Sequence, residues 1–130
     1  MRPADGGSLG EVWSRFGQLS DSVIRRFEVR TDSRPWSAVV EVDAQEPPNS
    51  NGPWHRIRFE FTDVREWRFE QTRSDMLVIF EARAERVDEL ICVSFDAAVI
   101  PENPHLDDFR RTDAFVAASA VEPSLRRLSA

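Results

Sequence analysis

The feature that most constrains this chain is an alternation of apolar and polar residues in six short stretches between Val23 and Phe95. Successive side chains of a β-strand point to opposite faces of a sheet, so this period predicts strands with one apolar and one polar face. In the clearest stretch, Ile57, Phe59 and Phe61 alternate with arginine and glutamate. Turn-forming residues separate the stretches, which is typical of antiparallel hairpins.

The breaks between these stretches predict the loops and the bounds of the strands. Glu46–Pro53 holds three prolines in eight residues and predicts a long hairpin loop. Asp63 and its neighbours predict one turn, and Arg83–Glu89 predicts a polar turn. The expected strands are Val23–Arg30, Trp36–Ala44, Ile57–Phe61, Trp67–Glu70, Met76–Arg83 and Leu90–Asp96.

The C-terminal part of the chain is less clearly patterned. From Pro101 to Thr112 it is charged and irregular, and the last patterned segment is Asp113–Val121. Apolar and small residues occupy both sides of that segment, so it fits either a seventh strand or an alanine-rich helix. We favour the strand because Pro123 cuts the segment short, and we expect a tail from Leu125.

Apolar residues near the N-terminus have helical spacing and predict a short amphipathic helix from about Leu9 to Phe16 or Leu19, docked on the sheet. We therefore expect an α+β domain of six or seven mostly antiparallel strands, rolled into a partial barrel or sandwich, with this helix on one face. Residues 8–122 form the expected domain, with flexible termini at 1–7 and 123–130. The helical face consists of Leu9, Val12, Trp13, Phe16 and Leu19.

The composition suits one soluble domain, since the 130 residues are 41% apolar. No apolar run approaches the ~20 residues of a membrane helix, and residues 1–10 lack the apolar segment of a secretory signal, so we expect a cytoplasmic protein. Cys92 is the only cysteine, which excludes an intrachain disulfide and a multi-cysteine zinc site. Its apolar neighbours predict a buried thiol.

The charge of the chain indicates its class of partner. The net charge is −6, and every basic residue is an arginine because lysine is absent. Proteins that bind nucleic acid neutralise phosphates with a basic face, so this acidic balance argues against a nucleic acid partner. A basic protein partner fits the charge better.

Few side chains could carry catalysis, and the only histidines are His55 and His105. His55 follows Trp54 at the start of a strand and reads as a strand-edge residue. His105 precedes Asp107 and Asp108, but no second histidine or cysteine cluster completes a metal site, so a solvated loop is expected. The chain also lacks nucleophile and phosphate-loop motifs. We predict no catalytic residue, cofactor or metal.

The carboxylates in the strands leave two interpretations open. Glu60 and Glu70 are the best candidates for an acid–base pair like that of a glycosidase. Each has an arginine two positions away, Arg58 and Arg68, which favours ion pairs on a solvent-exposed face.

The order of several local features carries a family resemblance. These features are a helix with Trp13 that ends at Phe16-Gly17, the segment Leu19–Ile24 leading into a strand, and Ile57–Phe61 followed by Asp63-Val64. The order resembles, over roughly Val12–Gln71, small bacterial domains that include immunity proteins of polymorphic toxin systems. Ser20 stands where that group often has a histidine. The resemblance implies a protein that neutralises a basic toxin by binding it, with Asp21 at the corner between helix and strand. The residue type itself favours a helix-end cap or turn former at Asp21.

We therefore expect a non-enzymatic bacterial binding protein, with an immunity protein as the specific form. Its partner would contact the Glu46–Pro53 loop and nearby residues. The alternative is a small-ligand carrier with an apolar cavity in the curled sheet. The expected contact residues are Asp21, Trp54, His55, Asp107 and Asp108. The expected cavity lining is Trp36, Phe59, Trp67 and Phe80.

Overall fold

The computed structural model describes residues 7–48, 50–70, 78–79, 81–97 and 100–128. It confirms the α+β class, because seven strands form one sheet and every neighbouring pair is antiparallel. The strands are β1 Ser22–Arg30, β2 Trp36–Gln45, β3 Trp54–Phe69, β4 Val78–Ile79, β5 Arg83–Val87, β6 Leu90–Ser94 and β7 Ala114–Arg127. The helices are α1 Gly7–Arg15, with a 3-10 turn at Gly17–Leu19 after it, and α2 Leu106–Arg110.

The sheet curls into a half-barrel with the strand order β4-β1-β2-β3-β7-β6-β5. The curl is visible in two rings. Phe27 of β1 stacks on Phe69 of β3 with 4.6 Å between ring centroids. Across the sheet, however, Phe27 pairs with Val40, which pairs with Phe59. The end of β3 must therefore bend back over the inner face to reach β1.

The helix α1 packs on the inner face of the half-barrel, as predicted. The five apolar residues predicted to form one helical face are all buried: Leu9, Val12, Trp13, Phe16 and Leu19. The Trp13 ring meets the edge of Phe59 at 5.8 Å, and Phe59 meets Phe95 at the same distance. Aromatic side chains of this size contribute the largest share of buried area in a core. The helix and the inner face therefore share one core.

A second, smaller core lies on the opposite face of β5, β6 and β7, under α2. Phe109 of α2 packs there with Val87, Cys92 and Phe115. This part of the sheet is covered on both faces, which explains why Ala114–Ala118 is buried without alternation. A strand buried on both faces reads as a continuous apolar run. The segment is a strand, as we favoured.

The predicted turn at Asp63 is wrong. β3 runs through it without a break, and the expected fourth strand is the second half of β3. Asp63 has a positive φ of 56°. The register with β7 shifts between Val64 and Glu66, which marks a β-bulge. An extra residue in one strand bends that strand. The turn-forming residues around Asp63 therefore mark a bend inside β3 and not a turn between two strands.

The predicted turn at Arg83–Glu89 is also wrong, because β5 occupies most of it. Only Asp88 and Glu89 form the turn, and both have positive φ. This places β5 and β6 in a hairpin with a two-residue loop. Of the expected strand Met76–Arg83, the structure describes Val78–Ile79 as β4 and Glu81–Ala82 as non-strand. Met76, Leu77 and Phe80 of that segment lie outside the described residues.

Two predictions for the C-terminal part need correction. β7 continues through Pro123 to Arg127, so the expected end of the strand and the tail at Leu125 are wrong. β6 pairs with β7 only as far as Ala118, so Pro123 lies where one side of β7 has no ladder to interrupt. The stretch before Thr112, expected to be irregular, contains α2.

The bulge at Asp63 generates a prediction about pH. Hydrogen bonds from Arg65 and from the Ser119 hydroxyl lower the pKa of Asp63 from 3.8 to about 2. A depressed pKa in the folded protein adds stability above the ordinary pKa, and this contribution is lost as the pH falls from about 4 toward 2. Asp63→Gly removes the carboxylate and tolerates the positive φ.

We expect the melting temperature of Asp63→Gly to lie below that of the wild type at pH 6, and the gap to close as the pH falls toward 2. Thermal melts across this range measure it. A gap that stays constant with pH would show that the Asp63 carboxylate does not stabilise the bulge.

Candidate functional site

The groove between α1 and the segment that precedes α2 is the candidate binding site. Its volume is about 470 Å³. Residues 81–85, which lead into and form most of β5, make its floor. Gly10, Trp13 and Gln18 form one wall, and Glu102 lies on the other side. We call this feature the β5 groove.

The floor of the β5 groove is an edge of the sheet. In the described part of the chain, β5 pairs with β6 alone. In a hairpin with a two-residue loop, the residues that flank the loop exchange both hydrogen bonds, and so does every second pair after them. Val87, Glu85 and Arg83 therefore bond to β6. The backbone groups of Ala84 and Arg86 point away from β6, toward the groove side.

The helix region closes only one end of this edge. The Ala82 N–H donates to the Gln18 carbonyl at 2.9 Å, and the Ala82 carbonyl accepts from Trp13 Nε1 at 3.0 Å. Both outward groups of Ala82 are thus satisfied within the chain. For the next outward-facing residues, Ala84 and Arg86, the described part of the chain shows no backbone hydrogen bond on this side, and Ala84 is only 4% exposed.

Glu85 lies beside this edge and is only 5% exposed. Its Oε1 accepts from Arg83 Nε and lies 3.1 Å from Arg83 Nη2. Its Oε2 is buried and has no hydrogen-bond partner among the described residues. A buried polar atom left unpaired costs about 1–3 kcal/mol, more when it is charged. Such atoms are rare in native proteins and call for an explanation.

The guanidinium of Arg83 is committed to other acceptors as well. Its Nη1 donates to the Ile100 carbonyl at 2.9 Å, and its Nη2 donates to the Glu102 carbonyl at 2.8 Å. Arg83 therefore fixes the segment before α2 against β5. The contact of Arg83 with Glu85 involves Oε1 alone, and Oε2 has no hydrogen-bond partner among the described residues.

The charge of the β5 groove favours a cation. Its ionisable side chains are Glu81, Glu85 and Glu102 against Arg83, so three negative charges oppose one positive charge. Within the described ranges, no group of three or more His, Cys, Asp or Glu residues is arranged to hold a metal ion. A single unpaired carboxylate oxygen matches an N–H donor of lysine or arginine.

The predicted contact residues Trp54 and His55 lie at the start of β3, on another part of the surface. Trp54 is 40% exposed. The His55 ring packs edge-on against Phe16 at 5.5 Å, and its Nδ1 is buried with no hydrogen-bond partner in the described part of the chain. The adjacent loop is tied to α1, because Arg15 donates to both carboxylate oxygens of Glu46, at 2.7 and 2.6 Å.

Asp21 is also found at this end of the molecule. It is exposed, has a φ of 60°, and its N–H donates to the Ile79 carbonyl at 2.7 Å. It therefore joins the turn after the 3-10 segment to β4. A residue with a short polar side chain tolerates this left-handed conformation.

The structure places Asp107 and Asp108 in α2, where both have local partners. Asp108 accepts from the His105 N–H at 2.8 Å in a capping box. Asp107 accepts from Arg110 at 2.5 Å, and Arg110 also bonds Glu66. The expected solvated loop is thus a capped helix. The stretch of β3 between Trp54 and Glu66 separates the two groups, so the surface predicted to combine them is not assembled as one patch.

The carboxylate-pair hypothesis is wrong for Glu60 and Glu70. Glu60 lies on β3, Glu70 directly follows the end of β3 ten positions later, and both are exposed. Each is bonded to the arginine two positions before it, Arg58 or Arg68. At about 3.3 Å per residue, ten positions along the chain separate the two carboxylates by far more than a glycosidase pair allows.

The expected ion pairs on the outer face are confirmed. Asp43 is buried between Arg25 at 2.9 Å and Arg56 at 2.8 Å. Burial alone would raise the pKa of Asp43, but the hydrogen bonds from Arg56 and Arg25 outweigh it and lower the pKa. Glu41 accepts from Arg58 in the same way. These charges stabilise the outer face.

The residues expected to line an apolar cavity are separated. Phe59 is 0% exposed, so it cannot line a space large enough for water. Trp67 is 42% exposed and lies 6.5 Å from Phe27. Trp36 lies under the guanidinium of Arg34. Phe80 lies outside the described residues.

Comparison of the chain with protein-family models, with curated proteins and with solved structures finds no match in any of the three. Among the helices that the structure describes, none combines the length and the apolar character needed to span a membrane.

Sequence reasoning missed Glu85 because it assigned Arg83–Glu89 to a turn. The signal that could have found it is the pair Val87 and Leu90, two apolar residues that flank a two-residue turn. A hairpin with its turn between Val87 and Leu90 places Glu85 opposite Cys92, and therefore in a strand and not in a loop.

The burial of Cys92 generates a prediction about reactivity. Burial raises the pKa of the Cys92 thiol to about 12, with smaller contributions from Glu66 and Asp88. Because only the thiolate reacts, we expect a disulfide reagent at pH 8 to modify the folded protein about a thousandfold more slowly than a thiol of ordinary pKa. The same reagent in concentrated urea provides the control. Equal rates in the two conditions would contradict the buried position.

Proposed function

We propose that this protein is a non-enzymatic binding domain that captures a basic protein partner in the β5 groove. The observation that carries the proposal is Glu85 Oε2, a buried carboxylate oxygen without a hydrogen-bond partner in the described chain. A lysine or arginine of the partner would satisfy it. Charge-assisted hydrogen bonds of this kind are about twice as strong as neutral ones.

The rest of the molecule is consistent with a partner that is itself a protein. The β5 groove carries three carboxylates against one guanidinium, a charge that the basic side chains of a protein surface can match. The net charge of −6 attracts a basic surface from a distance and repels nucleic acid. Electrostatic attraction of this kind raises the rate of association.

The resemblance to immunity proteins supplies the specific form of the proposal, in which the partner is a basic toxin that binding neutralises. A partner at the β5 groove can also reach the C-terminal end of α1. Gln18 lines the groove, Phe16 contacts His55, and Arg15 bonds Glu46. On this proposal, the predicted residues Trp54 and His55 lie outside the groove, and the Glu46 ion pair joins their end of the molecule to α1.

The proposal predicts that one basic protein binds through Glu85. Immobilised wild type, Glu85→Gln and Glu122→Gln are compared as baits in lysate from the source cell, and the retained protein is then purified for calorimetry. Glu122 is an exposed acid on β7, so its variant matches the charge change at a distance from the groove. We expect Glu85→Gln to weaken binding about tenfold or more and Glu122→Gln to change it little.

Equal binding by Glu85→Gln and the wild type, or binding that does not weaken as salt rises, would contradict the proposal. For the immunity form, the retained protein is expressed with and without this chain. Growth arrest that this chain relieves, and that Glu85→Gln relieves less, is the expected result. A retained protein that is harmless to growth would overturn the immunity form alone.

A further inference from the structure

We infer that the outer face of the sheet, the side away from α1, binds a phosphate group where β3 begins and β7 ends. The ligand is free phosphate or the phosphate of a small phosphorylated molecule. This inference goes beyond the proposed function and does not depend on it. The site is a pocket of about 180 Å³. Its lining residues are Glu41, Arg56, Arg58, Ser124, Leu125 and Arg126.

The register of the sheet brings three arginines together in this pocket. Arg56 and Arg58 alternate with buried core residues of β3, so both side chains lie on the outer face. Arg126 is directly opposite Arg56, and Ser124 is directly opposite Arg58. Side chains directly opposite each other have Cβ atoms about 4.5–5.5 Å apart. Three guanidinium groups and a hydroxyl group therefore border one small space.

The arginines at this end of the outer face outnumber the carboxylates beside them. In one row across the strands, Asp43 accepts hydrogen bonds from Arg25 and Arg56. The next residue of the row is Arg126. Asp43 is two strands from Arg126, about 10 Å, and the nearest acid of β7, Glu122, is four residues away, about 13 Å. Like charges directly opposite each other destabilise a sheet, so an anion bound between Arg56 and Arg126 stabilises this row.

The ion pairs of the outer face use only part of each guanidinium, which carries five N–H donors. Arg56 donates two of them to Asp43, at 2.8 and 3.0 Å. Arg58 donates two to neighbouring carboxylates, at 3.3 and 3.4 Å. The side chains of Arg56 and Arg58 are 30% and 38% exposed, and Arg126 is exposed as well. A ligand can therefore reach these groups from solvent without a change of fold.

The donors of this pocket fit a phosphate group better than a carboxylate. A carboxylate has one charge and two oxygens in a plane, which a single guanidinium satisfies, as Arg56 does for Asp43. A phosphate group has up to two charges and at least three acceptor oxygens, and several arginines can share them. Ser124 adds a hydroxyl donor. Because the net charge of −6 repels a polyanion, the ligand is a small molecule and not nucleic acid.

The test is a titration of the ¹⁵N-labelled full chain with inorganic phosphate at constant ionic strength and about pH 8, where the phosphate is mostly a dianion. We expect the signals of Arg56, Ser124 and Arg126 to shift and to saturate. Arg126→Gln should weaken binding about tenfold or more. The matched control is Arg127→Gln, because Arg127 is exposed and has its side chain on the other face of β7. We expect this variant to bind as the wild type does.

Acetate and glycerol phosphate complete the titration. Acetate should bind about tenfold more weakly than phosphate, or more weakly still. Glycerol phosphate distinguishes the source of the ligand. Binding at least as tight as that of free phosphate assigns the site to a phosphorylated molecule, and weaker binding assigns it to free phosphate. No saturable binding of phosphate, equal binding by Arg126→Gln and the wild type, or equal binding of acetate and phosphate would overturn the inference.

Stability without phosphate provides a readout that a structural role of Arg126 would change. Arg126→Gln removes the like charge opposite Arg56, so we expect its melting temperature in phosphate-free buffer to equal or exceed that of the wild type. Added phosphate should then raise the melting temperature of the wild type more than that of the variant. A variant that melts lower than the wild type without phosphate would show that Arg126 supports the fold and would contradict the inference.

Discussion

The bend in β3 is the constraint on which the rest of the structure depends. This strand has sixteen residues and pairs with β2 on one side and β7 on the other. The bulge after Asp63 turns its second half over the inner face, where Phe69 stacks on Phe27. Without this bend the end of β3 would not reach β1, and the inner face that α1 fills would be less concave. The curl buries the apolar face of α1 and brings its end against β5.

The contact between α1 and β5 explains why one edge of the sheet is only partly closed. Trp13 and the Gln18 carbonyl satisfy Ala82, and the helix region ends there. Immediately beyond, the Glu85 carboxylate is buried, and one of its oxygens has no hydrogen-bond partner among the residues that the structure describes. A protein that only needed to be stable could have apolar residues in place of both Arg83 and Glu85, since replacing a whole buried ion pair by apolar groups is often neutral or stabilising. Binding residues are commonly retained at such a cost in stability.

The sequence predicted the parts of the fold that depend on local pattern. The apolar face of α1, most of the sheet strands and the ion pairs of the outer face follow from periodicity and charge. It failed where tertiary context decides. Asp63 and Pro123 are turn-forming and strand-breaking residues by propensity, but a bulge accommodates the first and an unpaired side of β7 accommodates the second. The β5 groove depends on residues as distant as Gly10 and Glu102, so no local pattern could reveal it.

The measurement that tests the account most directly is the free energy of unfolding of Glu85→Met, obtained by urea titration beside the wild type. Methionine has a similar length and shape without the charge, and Arg83 keeps its bonds to the carbonyls of Ile100 and Glu102. If Glu85 is retained for binding, the variant should be as stable as the wild type or more stable by about 1–3 kcal/mol. A loss of about 3 kcal/mol or more would show that the Arg83–Glu85 pair holds the fold together and that the carboxylate is structural.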